Sequence, residues 1–372
     1  MSTSAGPRAV LLTGVTGSLG GHLCAELLAR TRATVYCLAR GDAHRVDHRL
    51  AELGIAPGER VVHVSGDVAR PRLGLSPASY DALAETVDEI LHCAAHVNLA
   101  AGYDRLAPVN VGGTRHVIAL AERADRLTRR PVPLRYVSTL GTLAAARDVG
   151  LTEVDELTPA TARTAGPLGY PLTKATAERE LLAAADRGLP LTVFRPGVVT
   201  GDTRTGRTSA SDLLVPVLRA SAVLGRVPAG VGAIPVDAID VVARALVELS
   251  RQPEAAGRTY HLIHPRPLPL AEVFAAMRRA GHLLEVVEGE EWWSAVDDHA
   301  ADRAVLPQAA MREVGQYAMI TGPDYRVPVI RSDRTWQALD RAGVQRPPLD
   351  GPFLDRIVRG LTAEGLLRPR RT

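Results

Sequence analysis

Short β-branched or apolar runs recur through the first half of the chain, at Ala9 to Thr13, Thr34 to Ala39, Val61 to Ser65, Glu89 to Cys93 and Leu134 to Ser138. Segments of helical period lie between them. Leu19 to Arg30 sets Leu23, Leu27 and Leu28 at helical spacing, and Thr114 to Ala124 repeats the pattern. Strand, helix, strand repetition leaves few solutions, because neighbouring parallel strands need a long crossover and a helix is the crossover that covers the sheet. The expected fold class is α/β, a Rossmann-type doubly wound parallel sheet, whose ligands bind at the carboxyl ends of the strands.

Leu191 to Arg195 reads as a sixth strand and Thr259 to Ile263 as a later one returning to the sheet. Between them, residues 201–232 are rich in Gly, Thr, Arg and Pro, the composition of a substrate-side insertion with one helix, Asp212 to Val223. From Pro265 onward, Pro-rich connectors separate helical patterns at Leu270 to Ala280, Glu291 to Ala301, Arg334 to Ala342 and Leu354 to Leu361. The chain of 372 residues is therefore expected to hold a nucleotide-binding domain over 1–264 and a smaller, mainly helical C-terminal substrate lobe over 265–372.

Apolar residues make up 46% of the chain and aromatics only 4%, so the core must be built from Ala, Val and Leu. A net charge of +3 with interspersed signs gives no argument for nucleic acid. No apolar run approaches the length that spans a bilayer, and Met1 to Pro7 is a polar tail rather than a signal peptide, so a cytoplasmic protein without a membrane partner is expected. Cys24, Cys37 and Cys93 have no CxxC spacing and lie in apolar runs, as reduced core residues do. Of 44 basic residues only Lys174 is a lysine. Its ammonium is compact and its charge can be tuned, which a guanidinium cannot copy, so position 174 needs lysine chemistry.

The first strand runs into Thr13-Gly14-Val15-Thr16-Gly17-Ser18-Leu19-Gly20, where the first helix opens. Glycines at this spacing allow a tight turn, close approach of a pyrophosphate to backbone N–H groups and close helix packing. Gly14, Thr16, Gly17, Ser18, Leu19 and Gly20 are the candidate phosphate contacts. The second strand ends at Arg40, where a dinucleotide lacking a 2′-phosphate would want Asp or Glu, and a guanidinium there favours NADPH. Arg49 on the following helix is placed to assist, while Asp42 comes too late for the ribose and is expected to cap that helix. Asp67 and Val68 end the third strand and Ala94 and Ala95 the fourth, with Asp67 a candidate acceptor for the adenine amino group and the two alanines letting backbone reach the cofactor.

Tyr170 and Lys174 stand four apart at the start of a helical segment. They share a face, so the ammonium can hold the phenol near the cofactor ribose and stabilise its phenolate. A third hydroxyl is expected at the end of the preceding strand. Thr139 is the choice there and Ser138 the alternative.

Together the Gly14, Gly17, Gly20 turn, Asn110-Val111-Gly112-Gly113-Thr114, Val137-Ser138-Thr139, Tyr170 with Lys174, and Arg195-Pro196-Gly197 resemble the extended short-chain dehydrogenase/reductases over roughly residues 8 to 264. More narrowly, Tyr36 to Arg40, Gly169-Tyr170, Ala177-Glu178 and Arg195 to Gly201 continuing to Thr205-Gly206 resemble thioester reductases, which include terminal reductase domains of nonribosomal peptide synthetases and carboxylic acid reductases. The resemblance implies a Thr139, Tyr170, Lys174 triad, NADPH as cofactor with Pro196, Gly197 and Val199 among its contacts, and an acyl or peptidyl group on the phosphopantetheine arm of a carrier protein. No carrier or adenylation segment is present, so the chain reads as a standalone enzyme or an excised domain. The implied product is an aldehyde, and nothing in the motifs distinguishes one round of reduction from two.

Other readings fare less well. His44 and His48 have the spacing of a metal pair, but Arg45 stands where HExxH has Glu and no third ligand is evident, so no metal is expected. A serine hydrolase would need a G-x-S-x-G elbow. A nucleotide-sugar epimerase or dehydratase would share triad and fold, and a non-catalytic dinucleotide sensor would have no use for Lys174. Trp292 and Trp293 suit core packing or an acyl channel. Arg278, Arg279, Arg368, Arg370 and Arg371 are candidate contacts for an acidic carrier.

Overall fold

The computed structural model describes residues 6–367 except 57, 211, 303, 304, 306 and 308–327. Seven parallel strands form the central sheet: β1 Ala9–Thr13, β2 Thr34–Ala39, β3 Val61–Ser65, β4 Glu89–His92, β5 Leu134–Val137, β6 Leu191–Pro196 and β7 Arg258–Leu262. Their spatial order is β7-β6-β5-β4-β1-β2-β3, all parallel. The winding reverses between β1 and β4, which pair with Thr13 opposite His92, and the crevice of such a sheet opens at the carboxyl ends there. Every residue of β1 and β4 is buried, as a strand covered on both faces requires.

Helices α1 Ser18–Arg30, α2 His44–Glu52, α3 Pro77–Thr86, α4 Gly113–Thr128 and α5 Gly169–Ala185 cover this sheet. The aliphatic core expected from composition is present in Leu11, Ile90, Val117, Leu134, Leu181 and Val193, each contributing roughly 1.5–3 kcal/mol on burial. Strand ends shift by one residue from the expected ones: β4 stops at His92 and β5 at Val137. The α5 face turned inward carries Thr173, Lys174 and Glu178 beside Ala177 and Leu181, so its buried stripe is partly charged. A stretch of π-helix, Pro108–Gly112, leads directly into α4. Such turns often mark functional positions.

The chain divides into two compact units. The first comprises Met1–Pro196, Ala243–Leu262 and Pro328–Val344, and the second Gly197–Val242, Ile263–Val327 and Gln345–Thr372, as far as these are described. A linear division at 264/265 thus lies near one crossing of the chain, while residues 197–242 and 328–344 lie in the unit opposite to the one it assigns them. The reason is strand pairing: Val198–Thr200 pairs with Val236–Ala238 in the second unit, and Val329–Ile330 pairs with Glu153–Val154 in the first. The expected helices of the C-terminal region are found at Leu270–Arg279, Gly289–Asp298, Asp333–Arg341 and Gly351–Ala363, and that of the insertion at Leu214–Leu224.

Trp292 and Trp293 are fully buried within the second unit, packed edge to face at 4.7 Å, and the Trp292 indole donates to the Arg226 carbonyl at 3.1 Å. They form its core with Leu224, Val287 and Val296, which replaces the acyl-channel alternative. Among the described residues, no helix is long and apolar enough to cross a membrane.

Candidate active site

The turn after β1 is built around backbone contacts that no side chain could share. Gly14 has φ +81°, and a Cβ there would stand 2.7 Å from the Ala94 nitrogen; a Cβ on Gly20 would stand 2.0 Å from the Gly14 carbonyl oxygen. The Gly17 N–H donates to that same carbonyl at 3.0 Å. Gly17 is the N-cap of α1, with no side-chain cap and no acid in the first turn, so the helix presents uncovered N–H groups and positive potential beside Thr16, Ser18 and Leu19. These features fit a dinucleotide pyrophosphate.

Arg40 leaves the end of β2 exposed, and among the described residues its guanidinium has no ion pair. Arg49 is engaged differently: it donates to Glu52 at 2.8 Å and to the Ser18 carbonyl at 3.2 Å, which ties α2 to the start of α1. Asp42 does not cap α2, whose N-cap is Ala43 without a side-chain bond. Asp67 accepts from the Ala69 N–H at 3.0 Å and so shapes its own turn, leaving its second oxygen for a ligand, and Val68 packs against Gly113. The Ala94 N–H donates to Thr13 Oγ1 at 3.1 Å, and Ala95 follows it, half-buried. His48, the partner expected of His44 in a metal pair, is exposed 3.7 Å from Glu52.

A chain of hydrogen bonds joins this turn to α5. Thr114 donates to the Asn110 carbonyl at 2.7 Å, so its oxygen must accept from His92 Nε2 at 3.2 Å; His92 Nδ1 then accepts from Thr13 at 2.7 Å. Burial holds His92 neutral, with its pKa near 3, Lys174 adding to the effect. Asn110 Nδ2 donates to Thr173 Oγ1 at 3.0 Å, and Thr173 donates to the Tyr170 carbonyl at 2.8 Å. The nucleotide turn and the start of the catalytic helix are thereby in one register.

Tyr170 sits in the first turn of α5, where Gly169 admits the chain: a Cβ there would be 2.3 Å from the Ala101 carbonyl oxygen. Burial first, and then Cys93, push the phenol well above its usual value. By solvent exposure Tyr170 is half-buried, so a ligand can reach its side chain. Lys174 is almost fully buried and donates to the Val137 carbonyl at 2.6 Å, its ammonium 4.1 Å from the centre of the Tyr136 ring. Burial lowers it to about 8, opposed by Cys93 and Glu178. The surroundings of Tyr170 thus favour the protonated phenol, the form that a proton donor needs.

The two hydroxyl alternatives separate clearly. Ser138 is buried and donates to Glu178, which is itself gripped by Arg195 at 2.7 Å. Thr139 is half-buried and its oxygen accepts the Gly141 N–H at 3.1 Å, leaving its own O–H to give. Thr139 is thus the hydroxyl free to meet a ligand. Asn110, His92 and Glu178 were not singled out as site residues from sequence. The motif around Asn110 was visible, but its role depends on the π-helical turn.

In the first unit Pro196 ends β6, buried. In the second, Gly197 allows the Pro235 carbonyl to approach, since a Cβ would stand 2.5 Å from it, and Val199 lies opposite Asp237 in the short strand pair.

The family model described as male sterility protein, an NAD-binding domain, matches residues 12–246. A linear gramicidin synthase of Brevibacillus parabrevis is 32% identical over 371 residues, covering 97% of this chain and 7% of that protein. The glycine betaine reductase ATRR of Emericella nidulans is 31% identical, covering 97% of this chain and 29% of that protein. This chain thus spans under a third of the length of these curated relatives. Among solved structures, the terminal R domain from the myxalamid PKS-NRPS biosynthetic pathway is 32% identical with a TM-score of 0.87, covering 100% of this chain and 94% of that one. The reductase domain of a nonribosomal peptide synthetase from Mycobacterium tuberculosis is 25% identical with a TM-score of 0.76, covering 99% and 94%. The chain belongs to the thioester reductases of the extended short-chain dehydrogenase/reductase family, the oxidoreductase family of nonribosomal peptide synthetase terminal reductase domains.

Proposed function

We propose that this chain uses NADPH to release a carrier-bound acyl or peptidyl thioester as an aldehyde. The observation that carries the reading is the pair on α5: a half-buried Tyr170 phenol one turn from the buried Lys174, the only lysine of the sequence, with the Thr139 hydroxyl just beyond the strand residue that Lys174 holds. The cofactor, when bound, supplies the hydride. Gly14, Thr16, Ser18, Leu19 and Gly20 line the phosphate site with Gly17, whose own N–H shapes the turn by its bond to the Gly14 carbonyl, and Asp67, Val68, Ala94 and Ala95 line the nucleotide path. Arg40 selects the 2′-phosphate, and Arg49 supports it indirectly by fixing the start of α1. Pro196, Gly197 and Val199 are assigned to the nicotinamide side by family resemblance.

As charge develops on the carbonyl oxygen of the thioester, the Thr139 and Tyr170 hydroxyls stabilise it, and Tyr170 gives up its proton. The hydroxyl proton of the hemithioacetal then returns to the Tyr170 phenolate as the carbon–sulfur bond breaks, leaving the aldehyde and the thiolate of the arm. Lys174, charged nearby, lowers the cost of the Tyr170 phenolate as it forms. A nucleotide-sugar substrate is disfavoured by the likeness, across nearly the whole chain, to reductase domains.

The partner is an acyl or peptidyl carrier protein. Arg279 is bound to Asp355 at 2.7 Å and Arg278 to the Leu284 carbonyl at 3.0 Å, so both guanidiniums are partly engaged, and Arg368, Arg370 and Arg371 lie outside the described residues. The test of the catalytic reading is Tyr170→Phe, which should slow the chemical step by about 10²-fold or more at similar NADPH affinity. Turnover near that of the wild type would remove Tyr170 from the role. For the partner, a carrier-bound thioester should be reduced with higher kcat/KM than the same acyl group on a short thiol, with the advantage shrinking as salt rises.

A further inference from the structure

Two successive turns of α5 hold two successive residues at the end of β5. Lys174 donates to the Val137 carbonyl at 2.6 Å, and Glu178, four residues on and on the same face, accepts from the Ser138 hydroxyl. The next residue is Thr139. Glu178 is fixed from the other side by Arg195 on β6, through Nη2 at 2.7 Å and Nε at 3.1 Å and 3.2 Å to its two oxygens. Arg195 also donates to the Thr158 carbonyl at 2.8 Å, and the Ser138 N–H donates to the Phe194 carbonyl at 2.6 Å. Ser138, Glu178 and Arg195 are all nearly inaccessible to solvent.

A fully buried ion pair is seldom the most stabilising choice, because both charges must be desolvated and an apolar pair of the same volume often does as well. Its place in this fold calls for another reason. We infer that the Ser138, Glu178, Arg195 cluster is a positioning device for the catalytic pair, in which Glu178 fixes the strand end that carries Thr139 and sets its carboxylate one helical turn from Lys174. This rests on the reading of Tyr170 and Lys174 given above. The groups that face Lys174 are Cys93 and His92 at the end of β4, Tyr136 on β5, and Tyr170 and Glu178 on its own helix. His92 is neutral and Cys93 stays a thiol, raised to about 12 by burial, which leaves the carboxylate of Glu178, paired with the Arg195 guanidinium, as the acidic group among them. Burial lowers the amine's pKa, and Glu178 works against that fall.

The sequence makes this directly measurable, since a tag-free protein labelled with 13Cε-lysine gives one lysine side-chain signal. Its titration needs neither substrate nor turnover. In Glu178→Gln the Lys174 midpoint should fall by about one pH unit, the effect of losing one nearby opposite charge. Glu178→Gln strands Arg195, so Arg195→Met, which keeps the carboxylate and removes its paired cation, is the second arm and should leave the midpoint unchanged or raise it. Ser138→Ala keeps the carboxylate and should leave the midpoint in place. A midpoint within about 0.3 of the wild type in Glu178→Gln, a fall in Arg195→Met, or an equal fall in Ser138→Ala would overturn the inference. Failure of the catalytic reading would show separately, as undiminished reduction by Tyr170→Phe.

Discussion

Replacing Lys174 with Met should trade catalysis for stability in a way that depends on pH. Burial takes the amine from its usual 10.5 to about 8. The folded pKa is lower than the unfolded one, so between pH 8 and 10.5 the unfolded chain binds more protons and stability rises with pH. Below pH 8 the full penalty of the buried charge is present, on the order of 3 kcal/mol from 1.36 kcal/mol per pH unit, and near pH 10 most of it is gone. Met has nothing to protonate. It forfeits the bond to the Val137 carbonyl, about 1 to 3 kcal/mol, but this loss varies little with pH. The comparison is urea unfolding of both proteins at pH 7 and pH 10. The stability of wild type relative to Lys174→Met should rise by roughly 2 to 3 kcal/mol between the two, while the variant reduces no substrate. Parallel stabilities at both pH values would show that Lys174 keeps an ordinary pKa in the folded chain, and the reasoning from burial would be refuted.

Arg40→Ala should weaken NADPH by roughly 1.5 to 3 kcal/mol and leave NADH nearly untouched, by fluorescence titration of each cofactor; equal losses would place Arg40 elsewhere. Gly20→Ala puts a methyl 2.0 Å from the Gly14 carbonyl oxygen, so it should abolish measurable dinucleotide binding and lower the Tm; unchanged NADPH affinity would contradict the turn described. Reduction should fall as pH rises through about 8, where Lys174 loses its charge, and a rate flat to pH 9.5 would detach activity from that ammonium.

Much of the site was legible in the residues because its requirements are local. Gly14 and Gly20 after β1 are needed because a Cβ on them would stand 2.7 and 2.0 Å from neighbouring backbone, and only a residue without Cβ allows that approach. Tyr170 and Lys174 share a face because helical spacing places residues four apart together. Strand identities followed from period and burial, and their ends missed by one residue where the chain turns from ladder to loop.

What tertiary structure alone decided is the assignment of hydroxyls and charges. Ser138 and Thr139 are adjacent and chemically similar, and only the approach of Glu178, forty residues later, commits the first and frees the second. The tryptophans' place in a core and Arg49's bond to the Ser18 carbonyl likewise depend on partners remote in sequence. The same holds for the units, since Val329–Ile330 joins Glu153–Val154 through backbone bonds that side-chain pattern does not encode. Periodicity reports which face a residue occupies, whereas a hydrogen-bond partner is chosen by whichever donor or acceptor the finished fold brings within about 3 Å.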